Sequence, residues 1–367
     1  MSIKLKLIAL LFIGMLFSIS CEQFSITPET QNYNQSFPTN IELELPSAIS
    51  SYDSLKNFKA LSGEGINNYL RNFVQLGYGT IEIINNSYQR IININPEGAS
   101  EFTYTGLDGK TKYVSIKDSV LIDSVHWDYS MEIYDNSFSN LALQVFWNIE
   151  TAKQLIICNV NQLNHDKMEN HPDAIITIEY NTQASVASYE QSIYIGVSKL
   201  TTSDENPYAP DNIKLFFGIN KQIINFIGSS NNPNVTLYDT DLVGKNWSFR
   251  GKADLAKNLA VLELALPETE LENTENMMLN FSLKNVILQE LKNEYDYIGL
   301  SDEEILADRN INAANIESPS FFNSEGFEGS GANIPTKYTH LSDFSNLAPF
   351  IPLEVKNYEI EFTRPME

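Results

Sequence analysis

Cysteine, histidine and tryptophan are all scarce in this chain of 367 residues, which has 2 cysteines, 4 histidines and 3 tryptophans. The two cysteines, Cys21 and Cys158, allow one disulfide at most. Cys158 lies in the apolar run 155–158, where a cysteine is usually a small buried hydrophobic residue. A fold held together by several disulfides is therefore excluded.

Basic residues are also few, because 24 lysines and arginines stand against 47 aspartates and glutamates and the net charge is −23. Nucleic acids are bound by clustered lysine and arginine side chains, and the chain has no basic run outside its N-terminal leader. We therefore expect no nucleic-acid partner and no electrostatic binding to an anionic membrane surface.

Common catalytic motifs are missing, since the chain has no His-Glu-x-x-His, no Gly-x-Ser-x-Gly and no phosphate-binding glycine loop. His165 and His171 form the one local histidine pair, but they are not at the i, i+4 spacing of two ligands on a helix. The acidic segments 204–206 and 239–241 lack the spacing of an EF-hand. We predict no metal site, catalytic residue or cofactor, although a carboxylate pair from distant strands stays open.

The N-terminal leader gives the strongest signal for localisation. Lys4 and Lys6 precede the apolar run 7–17. This run is shorter than the roughly 20 residues that a membrane-spanning helix needs. It is therefore better explained as an export signal than as a membrane anchor.

The end of the leader resembles the lipobox of lipoprotein signal peptidase substrates, except that Ser18 stands where an aliphatic residue is usual. We predict that residues 1–20 are a signal peptide and that Cys21 carries lipid such as palmitate. The lipid would attach the protein to a membrane. A secretory signal cut near Ser20 is the alternative.

A polar segment follows the leader. Residues 22–39 are rich in Gln, Asn, Ser, Thr and Pro, a composition that cannot compensate for the entropy lost in folding. We interpret residues 21–40 as a tether and residues 41–367 as a single β-rich domain. The alternating residues 41–45 are predicted to open that domain.

The clearest period in the chain is helical. Apolar residues recur at intervals of three and four, which places them on one stripe of a helix. We predict a helix over about 65–92, with Ser62 as its N-cap and Pro96 and Gly98 beyond its end. The stripe consists of Ile66, Leu70, Phe73, Gly77, Ile81, Ile84, Tyr88 and Ile91.

From residue 101 to 266 the apolar period changes to two, which is typical of strands. Asp108 and Gly109 separate the first two runs and suit a tight hairpin turn, because Asp-Gly readily adopts positive φ angles. Short runs without intervening helices indicate an antiparallel meander, curved into a sheet or half-barrel. The runs are 102–105, 112–116, 125–134, 141–149, 154–160, 175–180, 192–200, 213–218, 235–238, 247–252 and 259–266.

A smaller helical region is predicted within 283–316, where Ser301 and Glu304 fit a capping box. Residues 318–335, rich in Gly, Ser and Asn, are predicted to form a surface loop. The alternating residues 355–362 are predicted to form a final strand. The predicted fold class is mainly β (α+β), an antiparallel meander with the N-terminal helix packed on it.

Trp127, Trp147 and Trp247 each stand beside Asn, Asp or Ser in a predicted strand. A flat indole ring covers the apolar side of a sugar while polar neighbours meet its hydroxyls. We therefore name the three tryptophans as candidate ligand-binding residues for a glycan. The alternative is that they pack in the core, as strand aromatics usually do.

The same elements would also suit an apolar ligand. A helix over 65–92 lying across a curved meander resembles, in architecture, the half-barrels of lipoprotein carriers and lipocalin-like folds. That resemblance implies a cavity, unless the helical stripe itself fills the core as close packing favours.

Two further segments carry a family resemblance. The lipobox, the tether, the sequence ELPSAISS at 44–51 and YLRNFVQLG at 69–77 are similar to uncharacterised envelope lipoproteins of Bacteroidota. The resemblance implies an outer-membrane lipoprotein and no particular reaction.

Together these observations favour binding over catalysis. The predicted function is a cell-envelope lipoprotein that binds an apolar ligand. Glycan binding through the tryptophans is the alternative, and a hydrolase with dispersed carboxylates is the third hypothesis. The expected partners are the membrane, through lipid on Cys21, and a lipid or glycan ligand.

Overall fold

The structure is a computed structural model, and it describes residues 38, 40–50, 63–94, 100–135, 140–182, 189–200, 210–232, 244–272, 276–295 and 297–363. The predicted signal peptide and most of the tether lie outside these residues. So do Cys21, Ser62, Pro96, Gly98 and the segments 204–206, 235–238 and 239–241.

The described part of the chain contains thirteen strands, and every strand pair whose register is given is antiparallel. The predicted mainly-β class and antiparallel meander are therefore confirmed. The strands are Glu101–Thr105 (β1), Thr111–Ile122 (β2), Val125–Asp135 (β3), Asn140–Trp147 (β4), Gln154–Asn159 (β5), Ile175–Asn181 (β6), Gln191–Ser198 (β7), Asn212–Asn220 (β8), Ile223–Asn231 (β9), Trp247–Asp254 (β10), Leu259–Ala265 (β11), Ser320–Asn323 (β12) and Gly326–Ser330 (β13).

The chain divides into two compact units. The β1–β7 unit contains the described residues of 38–42, 78–201 and 359–363. The β8–β13 unit contains those of 43–77 and 202–358. Within each unit, each strand pairs with the strand that follows it in the chain.

Several short helices lie between the strands in the sequence, and one helix is long. No helix in the described ranges is long and apolar enough to span a membrane. The α-helices are Ser47–Ser50 (α1), Gly63–Ile94 (α2), Val160–Leu163 (α3), Met277–Asn280 (α4), Leu283–Glu294 (α5), Asp302–Asp308 (α6) and Pro352–Lys356 (α7), and two 3₁₀ turns cover Ala313–Asn315 and Thr336–Leu341.

The long helix α2 lies where the apolar stripe placed it. Stripe residues in its second half, Ile81, Ile84, Tyr88 and Ile91, are buried. The Tyr88 hydroxyl donates a hydrogen bond to Oε1 of Gln154 on β5 (3.4 Å). This half of α2 therefore packs against strands of the β1–β7 unit.

The β1–β2 turn and the start of α6 form as the sequence predicts. Gly109 has φ +72°, and its neighbour Asp108 accepts a hydrogen bond from the backbone N–H of Lys110 (3.1 Å). At α6, the hydroxyl of Ser301 accepts from the N–H of Glu304, while the Glu304 carboxylate accepts from the N–H of Ser301. Both local predictions are confirmed.

The predicted loop at 318–335 is wrong, because β12 and β13 form a hairpin there. β12 also pairs with β11 through Phe321 and Phe322, so two aromatic residues outweigh the loop-like composition around them. The predicted strand at 355–362 is wrong as well. Pro352 begins helix α7, because a proline suits the first helical turn, where its missing N–H is not needed.

Apolar packing of the β8–β13 unit depends on two glycines within strands. Phe226 faces Gly251, and Phe249 faces Gly228, across β9 and β10. A Cβ atom at either glycine would overlap the ring of the facing phenylalanine. The two rings, with centroids 6.4 Å apart, therefore fill the space that a side chain at either glycine position would occupy.

Residues 41–45 form no strand and are fastened by side chains. Asn85 Oδ1 accepts a hydrogen bond from the Ile41 N–H (2.9 Å), and Asn85 Nδ2 donates to the Ile41 carbonyl (2.8 Å). Gln144 holds the backbone of Thr363 in the same way, with both bonds at 2.9 Å. We call these two arrangements amide clamps.

Candidate functional site

The three candidate tryptophans lie in the core. Trp127, Trp147 and Trp247 are each 3% exposed, so none presents a ring face to solvent. Trp127 packs against Phe146, with ring centroids 6.1 Å apart, and Trp147 stacks on Tyr129 at 5.4 Å. Core packing, the alternative that the sequence left open, describes all three rings.

The thiol of Cys158 is fully buried, as predicted. Burial raises the pKa of this thiol to about 12. A thiol that stays protonated at neutral pH is a poor nucleophile, so Cys158 serves as a core residue.

His165 belongs to a buried charge network in the β1–β7 unit. Lys112, with no exposed surface, donates hydrogen bonds from Nζ to Asp108 (3.0 Å), to Asp135 (2.8 Å) and to a backbone carbonyl. The other oxygen of Asp135 lies 2.7 Å from Nε2 of His165. We call Asp108, Lys112, Asp135 and His165 the Lys112 network.

Both aspartates of the Lys112 network stay ionised. Burial alone would raise their pKa values, but hydrogen bonds outweigh it. The backbone N–H of His165 and the ammonium of Lys112 lower the pKa of Asp108. Lys112 and His165 lower that of Asp135.

A second aspartate–histidine pair lies in the β8–β13 unit. Nε2 of His340 is 2.8 Å from Oδ2 of Asp254, and Nζ of Lys257 is 3.3 Å from the same oxygen. Lys257 also donates its backbone N–H to Asp254 (3.0 Å). Hydrogen bonds from Lys257 and His340 together outweigh burial and lower the pKa of Asp254.

In both groups a lysine ammonium forms an ion pair with the carboxylate. Over the described ranges, no three His, Cys, Asp or Glu residues converge as a metal site requires. The ionisable side chains of these groups are thus paired with one another.

A different kind of polar cluster lies on one face of strands β8 to β10. Asn212 faces Asn231 across β8 and β9, and Lys214 faces Ser229. Facing residues share one side of a sheet, and Ser229 reaches across to Ser248 on β10 with 2.9 Å between the hydroxyl oxygens. We call Asn212, Lys214, Ser229, Asn231, Asn246 and Ser248 the polar layer.

Asn246 joins the polar layer just before β10. Its Oδ1 accepts a hydrogen bond from the backbone N–H of Asn232 (3.1 Å). Nδ2 of Asn231 donates to Oδ2 of Asp211 (3.2 Å). Each asparagine thus makes this hydrogen bond with only one of its two polar side-chain atoms.

Helix α7 and Tyr358, two residues beyond its end, cover part of the polar layer. Asn212 donates from Nδ2 to the carbonyls of Val355 (3.1 Å) and Lys356 (3.2 Å). The ammonium of Lys214 lies 4.5 Å from the centroid of the Tyr358 ring and 5.6 Å from that of Phe350. Both rings are partly exposed, so they mark the outer edge of the layer.

Two buried polar atoms of the layer have no hydrogen-bond partner in the part of the chain that the structure describes: Oδ1 of Asn231 and Nδ2 of Asn246. Asn231 is 4% exposed and Asn246 is 1% exposed. An unsatisfied buried polar group costs about 1–3 kcal/mol. The polar layer therefore contains one open acceptor and one open donor near the adjoining ends of β9 and β10.

The layer also disfavours charge. Burial raises the pKa of Asp211, although the hydrogen bond from Asn231 opposes the rise. Burial lowers the pKa of Lys214, although Glu354 opposes that shift. Desolvation therefore penalises both a negative and a positive charge at its margin.

Sequence reasoning missed Asn231 and Asn246 because asparagines in strand–turn regions usually mark turns. One signal was present at the adjoining ends of β9 and β10: the run of four polar residues SSNN at 229–232 and the polar pair KN at 245–246. Consecutive polar residues break the alternation expected of a half-buried strand.

Comparison with known proteins gives no assignment, because no protein family, curated protein or solved structure matches this chain. Any functional conclusion therefore depends on the site itself.

Proposed function

We propose that this chain is a lipid-anchored protein of the cell envelope that binds a small polar ligand in the polar layer without converting it. The observation that carries the proposal is the open pair of Asn231 Oδ1 and Asn246 Nδ2. Unsatisfied buried groups are rare in folded proteins and call for a specific explanation. A ligand that completes both hydrogen bonds provides one.

Binding is favoured over catalysis by the chemistry of these two groups. Carboxamides are neutral and do not take part in proton transfer at ordinary pH. General acid–base catalysis uses groups with accessible pKa values, and neither of the two open atoms belongs to such a group.

An apolar ligand, which the sequence favoured, stays a prediction. The stripe of α2 that suggested it is packed, with Ile81, Ile84, Tyr88 and Ile91 buried. The proposal keeps the predicted outer-membrane location and the lipid on Cys21, which depend on the leader. It also keeps a curved, half-barrel-like sheet with α2 packed on it.

The test compares the mass of the native and the denatured protein. The mature chain is purified from its own membranes, and native mass spectrometry measures any bound small molecule that denaturation releases. We expect a released mass from the wild type and none from Asn246→Leu, which lacks the open donor. Asn293→Leu, the same change at an exposed position of α5, serves as the control and should keep the ligand.

Two results would contradict the proposal. One is a wild-type protein that releases no small molecule, together with a high-resolution crystal structure showing an ordered water only between the two amides. The other is retention of the released molecule by Asn246→Leu at the wild-type level.

A further inference from the structure

The polar layer also specifies the chemistry of its ligand, an inference that rests on the proposed function. The open acceptor, Oδ1 of Asn231, and the open donor, Nδ2 of Asn246, belong to neighbouring strand ends. Ser230 and Trp247 are the last pair of the β9–β10 ladder, and these asparagines follow and precede them. A single ligand group that satisfies both atoms has to donate one hydrogen bond and accept another.

We infer that this group is a neutral hydroxyl and that the ligand is a small polyhydroxylated molecule, such as a monosaccharide or cyclitol. A hydroxyl oxygen donates one hydrogen bond and accepts up to two. It can donate to Asn231 and accept from Asn246 at the same time. A carboxylate only accepts and an ammonium only donates, so either would leave one amide unsatisfied.

The surroundings of the two amides also select a neutral group. Two serines of the same polar layer, Ser229 and Ser248, share a hydrogen bond between neutral hydroxyls. The acid and the base at the margin, Asp211 and Lys214, are both shifted toward their neutral forms by burial. A charged ligand would meet the same desolvation cost.

Aromatic rings at the edge of the layer suit the rest of such a ligand. Phe350 and Tyr358 flank the side chain of Lys214 and are partly exposed. The C–H face of a sugar ring packs on aromatic surface while its hydroxyls reach polar groups. The combination of polar groups and aromatic rings predicted for a glycan site at the tryptophans thus occurs at the polar layer, on different residues.

The experiment is calorimetric titration of the mature chain with matched probes. D-glucose, D-galactose and myo-inositol test the neutral class. D-glucuronate and D-glucosamine each differ from glucose by one charged group, and acetamide tests a neutral amide. We expect at least one neutral polyol to bind and, for glucose, the charged analogues to bind at least tenfold more weakly.

A substitution assigns the binding to the open donor. Asn246→Asp keeps an oxygen for the N–H of Asn232 but replaces the donor with a second acceptor. We expect it to weaken polyol binding at least tenfold while the far-ultraviolet circular dichroism is unchanged. The exposed Asn293→Asp should bind as the wild type does.

The outcomes separate this inference from the proposed function. If a small molecule is released from the native protein but only charged probes or acetamide bind, the hydroxyl class is wrong and the proposed function stands. If no polyol binds, the inference fails. If, in addition, an ordered water only is seen at the two amides and nothing is released on denaturation, the proposed function fails with it.

Discussion

Lys112 carries a buried positive charge that is paired with two aspartates in the β1–β7 unit. Its side chain has no exposed surface and joins Asp108 to Asp135. Lys112→Met would leave two buried carboxylates without their cation, and breaking a buried ion pair costs about 3–5 kcal/mol. We expect the free energy of unfolding, measured by urea denaturation, to fall by that amount.

Lys117→Met is the matched control. Lys117 also lies on β2, but its side chain is 55% exposed and its nitrogen is 3.9 Å from Glu132. Exposed ion pairs contribute about 0–1 kcal/mol, so this variant should unfold almost as the wild type does. Equal losses from the two substitutions would show that the Lys112 network does not stabilise the fold.

The Lys112 network also gives a pH dependence with a defined sign. The folded-state pKa values of Asp108 and Asp135 lie below their ordinary value of 3.8. Their stabilising contribution is therefore complete above that value and is lost as the pH falls through the folded pKa.

In Lys112→Met the lowering by the ammonium disappears, so both pKa values rise relative to the wild type, although the hydrogen bonds from His165 remain. Protonation of the two carboxylates at low pH then removes their unpaired charges. We expect the difference in unfolding free energy between wild type and variant to be larger at pH 6 than at pH about 3.5. Urea denaturation at both values measures it, and a difference that is constant with pH would contradict the assignment.

Sequence analysis of single residues succeeded where the chemistry is local. The Asp108–Gly109 turn and burial of Cys158 need only neighbours in the chain. The contact of Lys112 with Asp135 depends on strand register, and the open amides of Asn231 and Asn246 depend on which strands adjoin. No spacing in the sequence encodes those contacts.

The packing of strand β9 against strand β10 depends on the small size of Gly228. Gly228→Ala places a Cβ atom so close to the ring carbons of Phe249 that the two would overlap. Overpacking of a core costs about 1–3 kcal/mol, and we expect Gly228→Ala to lower the free energy of unfolding by that amount. Chemical denaturation provides the measurement.

A double-mutant cycle tests whether the ring is the cause. Leucine lacks the ring atoms that lie closest to the new Cβ, so Gly228→Ala should cost less in a Phe249→Leu background than in the wild type. Residues in contact show such coupling. Additive losses would mean that the cost comes from the strand backbone and not from Phe249.

Helices and strands could be predicted where the residues within the segment itself determine its structure. The stripe of α2 and the capping box of Ser301 lie within one segment each. Strands β12 and β13 are short and rich in small residues, and they form because Phe321 and Phe322 pair with β11. At α7, Pro352 was a stronger signal than the alternation that follows it.

For the whole molecule, the mainly-β class followed from a period of two over many short runs. The division into two compact units did not, because no Gly/Ser-rich linker marks it and α2 crosses it. A division inside one helix leaves no trace in the composition of the sequence.

Attachment of the protein to a membrane is tested at Cys21. Growth with an alkyne-tagged palmitate should label the wild type, and Cys21→Ser should lose the label and leave the membrane fraction, because a single thiol carries the acyl chain. Cys158→Ala, which removes the other thiol of the chain, should stay labelled. Label on Cys21→Ser, or none on the wild type, would contradict lipidation at this residue.

The amide clamp on Ile41 has a mechanical consequence. Asn85 accepts one hydrogen bond from the backbone of Ile41 and donates another to it, so a load pulled through the chain from its N-terminal side stretches them in parallel. Bonds loaded in parallel yield together and at a higher force than bonds that open one by one. Resistance to tension would thus begin at an asparagine on a helix, ahead of any strand of the sheet.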